Sequence, residues 1–178
     1  MAAPRTYLIH NSAMVTTAAP VKQPTGTAIR TMMQLAPSAN VGFMKIHEWG
    51  FSLDSYAVAG EVELLDAGTV FATMSTAYAV ADIQPHGDAE APANTSGSSG
   101  LPLNLGTALS GFATAAVTEG TITAARMKDL QLDPQGPYVK QWPLDLEPQI
   151  IGGNGLRIRM TFGTSVNAYC YAIVSFGY

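Results

Sequence analysis

The chain has 178 residues, one cysteine and a formal net charge of −4, enough for one domain that buries about 70% of its unfolded surface without metals or disulfides. Charged residues make up only 12% of it beside an ordinary 47% apolar content, whereas soluble domains average about 25% charged, so its surface must be built from Thr, Ser, Ala, Gln and Asn. An intrachain disulfide is excluded, a general nucleic-acid binder is disfavoured for want of a basic footprint, and the sparse charge suits a surface that meets other proteins.

Residues 1–27 read as an extended N-terminal arm, punctuated by Pro4, Pro20, Pro24 and Gly26. Arg5, His10 and Asn11 interrupt every candidate apolar run, so no secretion signal is expected. Tyr7, Leu8, Ile9, Met14 and Val15 are nevertheless too apolar for a solvated tail. The arm is therefore expected to dock, either on its own domain or on a neighbour.

Residues 28–178 carry the signals of a single β domain. Strand-length apolar patterns occur in "TAIRTMMQLA" and in "VGFMKIHEWGFSLD", where Gly50 suggests a bulge or bend. "GEVELLDAGTVFATMSTAYAVADI" turns at Asp66-Ala67-Gly68 and suits an antiparallel meander. "HGDAEAPANTSGSSG" has too little apolar surface to order itself and reads as an exposed loop. The Ala-rich stretch after it contains Gly111, Gly120 and many threonines, which favour strands around a Glu119-Gly120 turn over a helix. Pro143, after Trp142, breaks the next stretch into a lateral loop and a short edge segment.

The end of the chain alternates most clearly. Leu156, Ile158, Met160 and Phe162 face one way and Arg157, Arg159 and Thr161 the other, and after Gly163-Thr164-Ser165 the period of two resumes through residue 176. These two runs predict a closing β-hairpin. Its last strand would send Val166, Ala168, Cys170, Ala172, Val174 and Phe176 to the core and Tyr169, Tyr171 and Ile173 outward. Cys170 then reads as a small buried hydrophobe, and Arg157 and Arg159 as a solvated face. Many short strands and turns predict an all-β fold, an antiparallel β-sandwich of jelly-roll-like form with the extended N-terminal arm.

Little chemistry is legible. His10, His47 and His86 have no metal-ligand spacing, and "HEWGF" carries Phe51 where a zinc-binding helix would need its second histidine. His47 is expected to meet Glu48 or solvent. "GGNG" at residues 152–155 lacks the Lys-Ser/Thr of a phosphate loop and opens a strand. No "GxSxG" elbow occurs and no serine has a local base to activate it, although partners distant in sequence remain open. Glu61 and Glu63 share a strand face, which suits an ordinary polar face better than acid–base work. No catalytic residue, cofactor or metal ligand is therefore expected. Trp142, Tyr169 and Tyr171 are amphipathic aromatics that could anchor a protein interface or stack on sugars.

The ordering of "HEWGFSLD…GEVELL", "AAVTEGTITAARMKD" and "QWPLDLEPQIIGGNGLRIRMTFGTSVNAYCYAIVSF" resembles that of small head decoration or minor capsid proteins of tailed bacteriophages infecting actinobacteria. The resemblance spans residues 41–178, and the arm has no counterpart in it. It implies a virion protein, made in the host cytoplasm, that cements the capsid surface by binding the major capsid protein, often as a trimer, with no direct contact to nucleic acid or membrane. The interface candidates on this reading are Tyr7, Leu8, Ile9, Trp142, Tyr169, Tyr171 and Ile173. The alternative is a carbohydrate-binding β-sandwich module on a virion or cell surface.

Overall fold

The computed structural model describes residues 5–13, 20–87, 102–123 and 126–177. Met14, Val15 and most of the stretch between His86 and Gly100 lie outside the described residues. Among the described residues thirteen strands follow in chain order: β1 (Thr6–His10), β2 (Gln23–Pro24), β3 (Arg30–Leu35), β4 (Phe43–Leu53), β5 (Gly60–Asp66), β6 (Thr76–Ala77), β7 (Ile83–His86), β8 (Gly111–Phe112), β9 (Arg126–Leu132), β10 (Tyr138–Gln141), β11 (Gln149–Ile151), β12 (Leu156–Phe162) and β13 (Asn167–Gly177). They form two antiparallel sheets packed as an all-β sandwich. Sheet one runs β10-β4-β13-β1-β7, with β11 also on β4 and β2 on β13; sheet two runs β6-β8-β3-β12-β5-β9. Most successive long strands alternate between the sheets, so the connections arch over the core.

The period-two pattern correctly separates inside from outside in the last two strands, but not their pairing. Leu156, Ile158, Met160 and Phe162 enter the core from sheet two, and Ala168, Cys170, Ala172 and Val174 enter it from sheet one. β12 pairs with β3 and β5, while β13 pairs with β1, β2 and β4. The expected closing hairpin is therefore an arch: Gly163-Thr164-Ser165 carries the chain from one sheet to the other. An alternating strand has one face to bury and gains as much by facing another sheet as by lying beside its neighbour. For the same reason the meander after β5 does not form. Gly68 turns at φ 60°, but β5 pairs with β12 and β9 and the following β6 pairs with β8. Gly120 also turns, at φ 69°, with no strand directly on either side.

The N-terminal segment docks on its own domain. β1 lies between β13 and β7, Tyr7 and Ile9 are buried in the core, and the sandwich begins ahead of the boundary expected near residue 28. Burying one such side chain contributes about 1.5–3 kcal/mol, and β1 adds two ladders of backbone hydrogen bonds. Tyr7, Leu8 and Ile9 thus serve the sheet of their own chain.

The arginines of β12 are not a solvated face. Arg157 is fully buried: its Nε donates to Gln34 Oε1 at 2.9 Å and its Nη2 to the Glu119 carbonyl at 2.6 Å. Arg159 pairs with Glu63 at 2.7 Å. The segment around Glu119 covers this outer face, with Thr31 Oγ1 donating to Glu119 Oε2 at 2.6 Å.

Candidate functional site

Among the described residues, the outer face of sheet one brings together histidine, serine, tyrosine and carboxylate side chains, and a β-bulge builds it. β4 and β13 pair regularly until the register shifts, with Glu48 opposite Ile173 and Ile46 opposite Val174. His47 is the extra residue. A bulge re-aims side chains, and here His47 and Glu48 both engage residues of the outer face of β13, between the buried Ile46 and Trp49. The sequence signal for this is the three-residue step from Ile46 to Trp49. Gly50 has a different task from the bulge expected there. A Cβ at Gly50 would stand 2.6 Å from the Tyr138 carbonyl and 2.8 Å from Tyr171 Cε1, so the glycine lets the Tyr171 ring lie across the strand.

Register aligns a row of polar residues across the sheet. His86 lies opposite Thr6, Thr6 opposite Ser175, Ser175 opposite Lys45 and Lys45 opposite Gln149. His47 reaches into this row, with its Nε2 2.7 Å from Ser175 Oγ and its Nδ1 3.4 Å from Glu147 Oε1. Lys45 Nζ lies 3.4 Å from the other carboxylate oxygen of Glu147. His47 thus meets neither Glu48 nor bulk solvent, the two partners expected from sequence, but a serine 128 positions away. Burial lowers its pKa from the ordinary 6.5; Glu147 pulls it up and Lys45 and His86 push it down. The ring is therefore neutral at pH 7. Its Nδ1–H can donate to Glu147 while Nε2 accepts from the Ser175 hydroxyl. Glu147 is held below its usual range first by its own backbone N–H.

The stripe of Tyr169, Tyr171 and Ile173 points away from the core, as alternation requires, but it is not bare. Ile173 is buried, Tyr169 Oη meets His10 Nδ1, and Tyr171 Oη donates to Glu48 Oε1 at 2.6 Å. The three rings of His10, Tyr169 and Tyr171 cluster with centroids 5.1 to 6.2 Å apart. β1 and β4, the neighbours of β13, supply these partners, and no local pattern shows that. Burial lowers the His10 pKa to about 4. Trp142 packs partly against the core and lies beneath Lys140 of β10, whose Nζ is 5.3 Å from the ring centroid.

A second region carries no motif that sequence reasoning could single out. Seven of the ten exposed large hydrophobics among the described residues fall between Met127 and Ile151: Met127, Leu130, Leu132, Val139, Leu144, Leu146 and Ile151. β9 is the edge of sheet two and β10 with β11 the edge of sheet one. The two edges meet at Asp129, which accepts from Trp49 Nε1 and Tyr138 Oη and pairs with Lys140. Between β10 and β11, Leu146 N donates to the Pro143 carbonyl and Asp145 adopts φ 67°. This turn holds Leu144 and Leu146 out at 83% and 70% exposure. Neither edge invites simple strand addition: β9 is bulged at Lys128 and the β10–β11 edge is interrupted by the turn. Contact here would run through side chains.

Among the described residues no group of three or more His, Cys, Asp or Glu side chains could hold a metal ion. No protein-family model matches this chain, no curated protein matches it and no solved structure matches it.

Proposed function

We propose that this chain is a virion structural protein that decorates and stabilises a bacteriophage capsid through protein–protein contacts, working as a homotrimer on the major capsid protein. The observation that carries the reading is that seven of the ten exposed large hydrophobics among the described residues lie along the two strand edges that meet at Asp129 and in the turn between β10 and β11, from Met127 to Ile151. Soluble monomers seldom leave such a patch open, and the low charge of the chain limits the desolvation needed to close it. The resemblance over residues 41–178 supplies the setting. The docking surface is made of these edges and the turn, not the tyrosine stripe, whose hydroxyls are satisfied within the chain. The carbohydrate-binding alternative gains no support from Trp142, Tyr169 and Tyr171, since each packs on a neighbouring side chain.

The test is co-sedimentation of the full chain with assembled capsid shells from the same source, beside light scattering of the free protein. Binding to shells by a trimer is expected. The double variant Leu144→Ser, Leu146→Ser should keep its stability within about 0.5 kcal/mol, as surface changes do, while losing attachment or self-association. A monomer at micromolar concentration that ignores shells would overturn the reading.

A further inference from the structure

We propose that Ser175, His47 and Glu147 form a nucleophilic site that takes an acyl group from a small activated ester. This activity is separate from the structural role and does not depend on it. The grounds are geometric: a hydroxyl 2.7 Å from an imidazole Nε2, and a carboxylate oxygen 3.4 Å from Nδ1 of the same ring. A nucleophile, a base and a group that orients the base within reach of one another are what activation of serine requires. The three residues come from β13, the bulge of β4 and the segment before β11. The Glu147 side chain is only 2% exposed, so the carboxylate that fixes the ring is shielded from water.

In the step, Ser175 Oγ bonds to the ester carbonyl carbon while His47 Nε2 takes the hydroxyl proton. The bond from that carbon to the leaving oxygen then breaks, and His47 returns the proton to the departing alcohol. Water repeats the attack on the acyl-serine, giving its proton to His47, and the acid leaves as Ser175 regains its hydrogen. The backbone N–H groups around Ser175 serve the ladders to β1 and β4. The developing oxyanion must therefore be met by a side chain, and Lys45, opposite Ser175 in register and 3.4 Å from Glu147, would have to swing from that carboxylate to do so. Ser175 is only 4% exposed, so the test uses a short acyl group on a good leaving group.

The probe is p-nitrophenyl acetate with the full chain. Acetyl-Ser175 should be found by peptide mass spectrometry, and the rate should rise with pH through a value below 6.5, set by His47 among Glu147, Lys45 and His86. Ser175→Ala should lower the rate by about 100-fold or more, on the scale of lost nucleophile–base catalysis. Glu147→Gln should both slow the reaction and displace the pH profile, which loss of a merely structural contact would not do. In Ser175→Cys, His47 should draw the thiol proton, so that iodoacetamide labels residue 175 at neutral pH. An unchanged rate in Ser175→Ala, or acetyl groups on lysines alone in the folded wild-type protein, would overturn the proposal.

Discussion

The outer faces of the two sheets both carry hydrogen-bonded side-chain networks, built to different ends. On sheet two the network is charged and sealed. Arg157 is fully buried and tied to Gln34 and Glu119, Gln34 also accepts from Ala72 N and donates to the Ala72 carbonyl, and the Glu119 carboxylate accepts from Thr31. On sheet one it is built from imidazoles and hydroxyls: His47 with Ser175 and Glu147, and His10 with Tyr169. A buried charge with several partners holds strands and covering segment in one arrangement, because removing any partner leaves the charge uncompensated. Imidazoles held neutral by burial take up a proton only as the pH falls. The first face is therefore a lock, and the second is where chemistry and acid sensitivity belong.

Breaking the lock should have the largest effect. Glu119→Ala leaves Arg157 without its carboxylate and should cost about 3–5 kcal/mol, a large part of a domain's usual margin of about 5–15 kcal/mol. Urea denaturation measures it, and a loss below about 1 kcal/mol would mean that Gln34 and the residue 119 carbonyl, both kept in the variant, are enough to hold Arg157. Acid sharpens the contrast at an intermediate size. His10 has a folded pKa of about 4 against an ordinary 6.5, so between these values the unfolded chain binds a proton that the folded chain does not. Stability should be full above about pH 6.5 and fall as pH drops toward 4, with His47 acting in the same direction. His10→Gln should flatten that slope in thermal denaturation, and an equal slope in the variant would clear His10 of the effect. The smallest signal concerns the core between the two faces. Burial pushes the Cys170 thiol far above its usual range, so alkylating reagents should label it only at the rate of unfolding. Rapid native labelling would mean that β13 opens locally.

The alternation of residues 156–162 and 166–176, the scarcity of long helical periods and the turn glycines Gly68 and Gly120 were enough to expect an all-β sandwich and to assign Cys170, Ala172 and Val174 to its core. A period of two is a local property, set by which face of a strand meets water, and it survives whichever strand lies alongside. Pairing is not local. That β12 and β13 arch into opposite sheets, that residues 6–10 fill a gap between β13 and β7, and that Glu119 reaches Arg157 all depended on which distant segments could bury the same apolar faces together. The site shows this most sharply. Serine, histidine and glutamate were each visible as single letters, but the bulge was expected at Gly50 and stands at His47, and Ser175 and His47 lie 128 positions apart in the chain. Only the antiparallel register of β4 against β13, imposed by packing of the core beneath them, brings the hydroxyl to the ring.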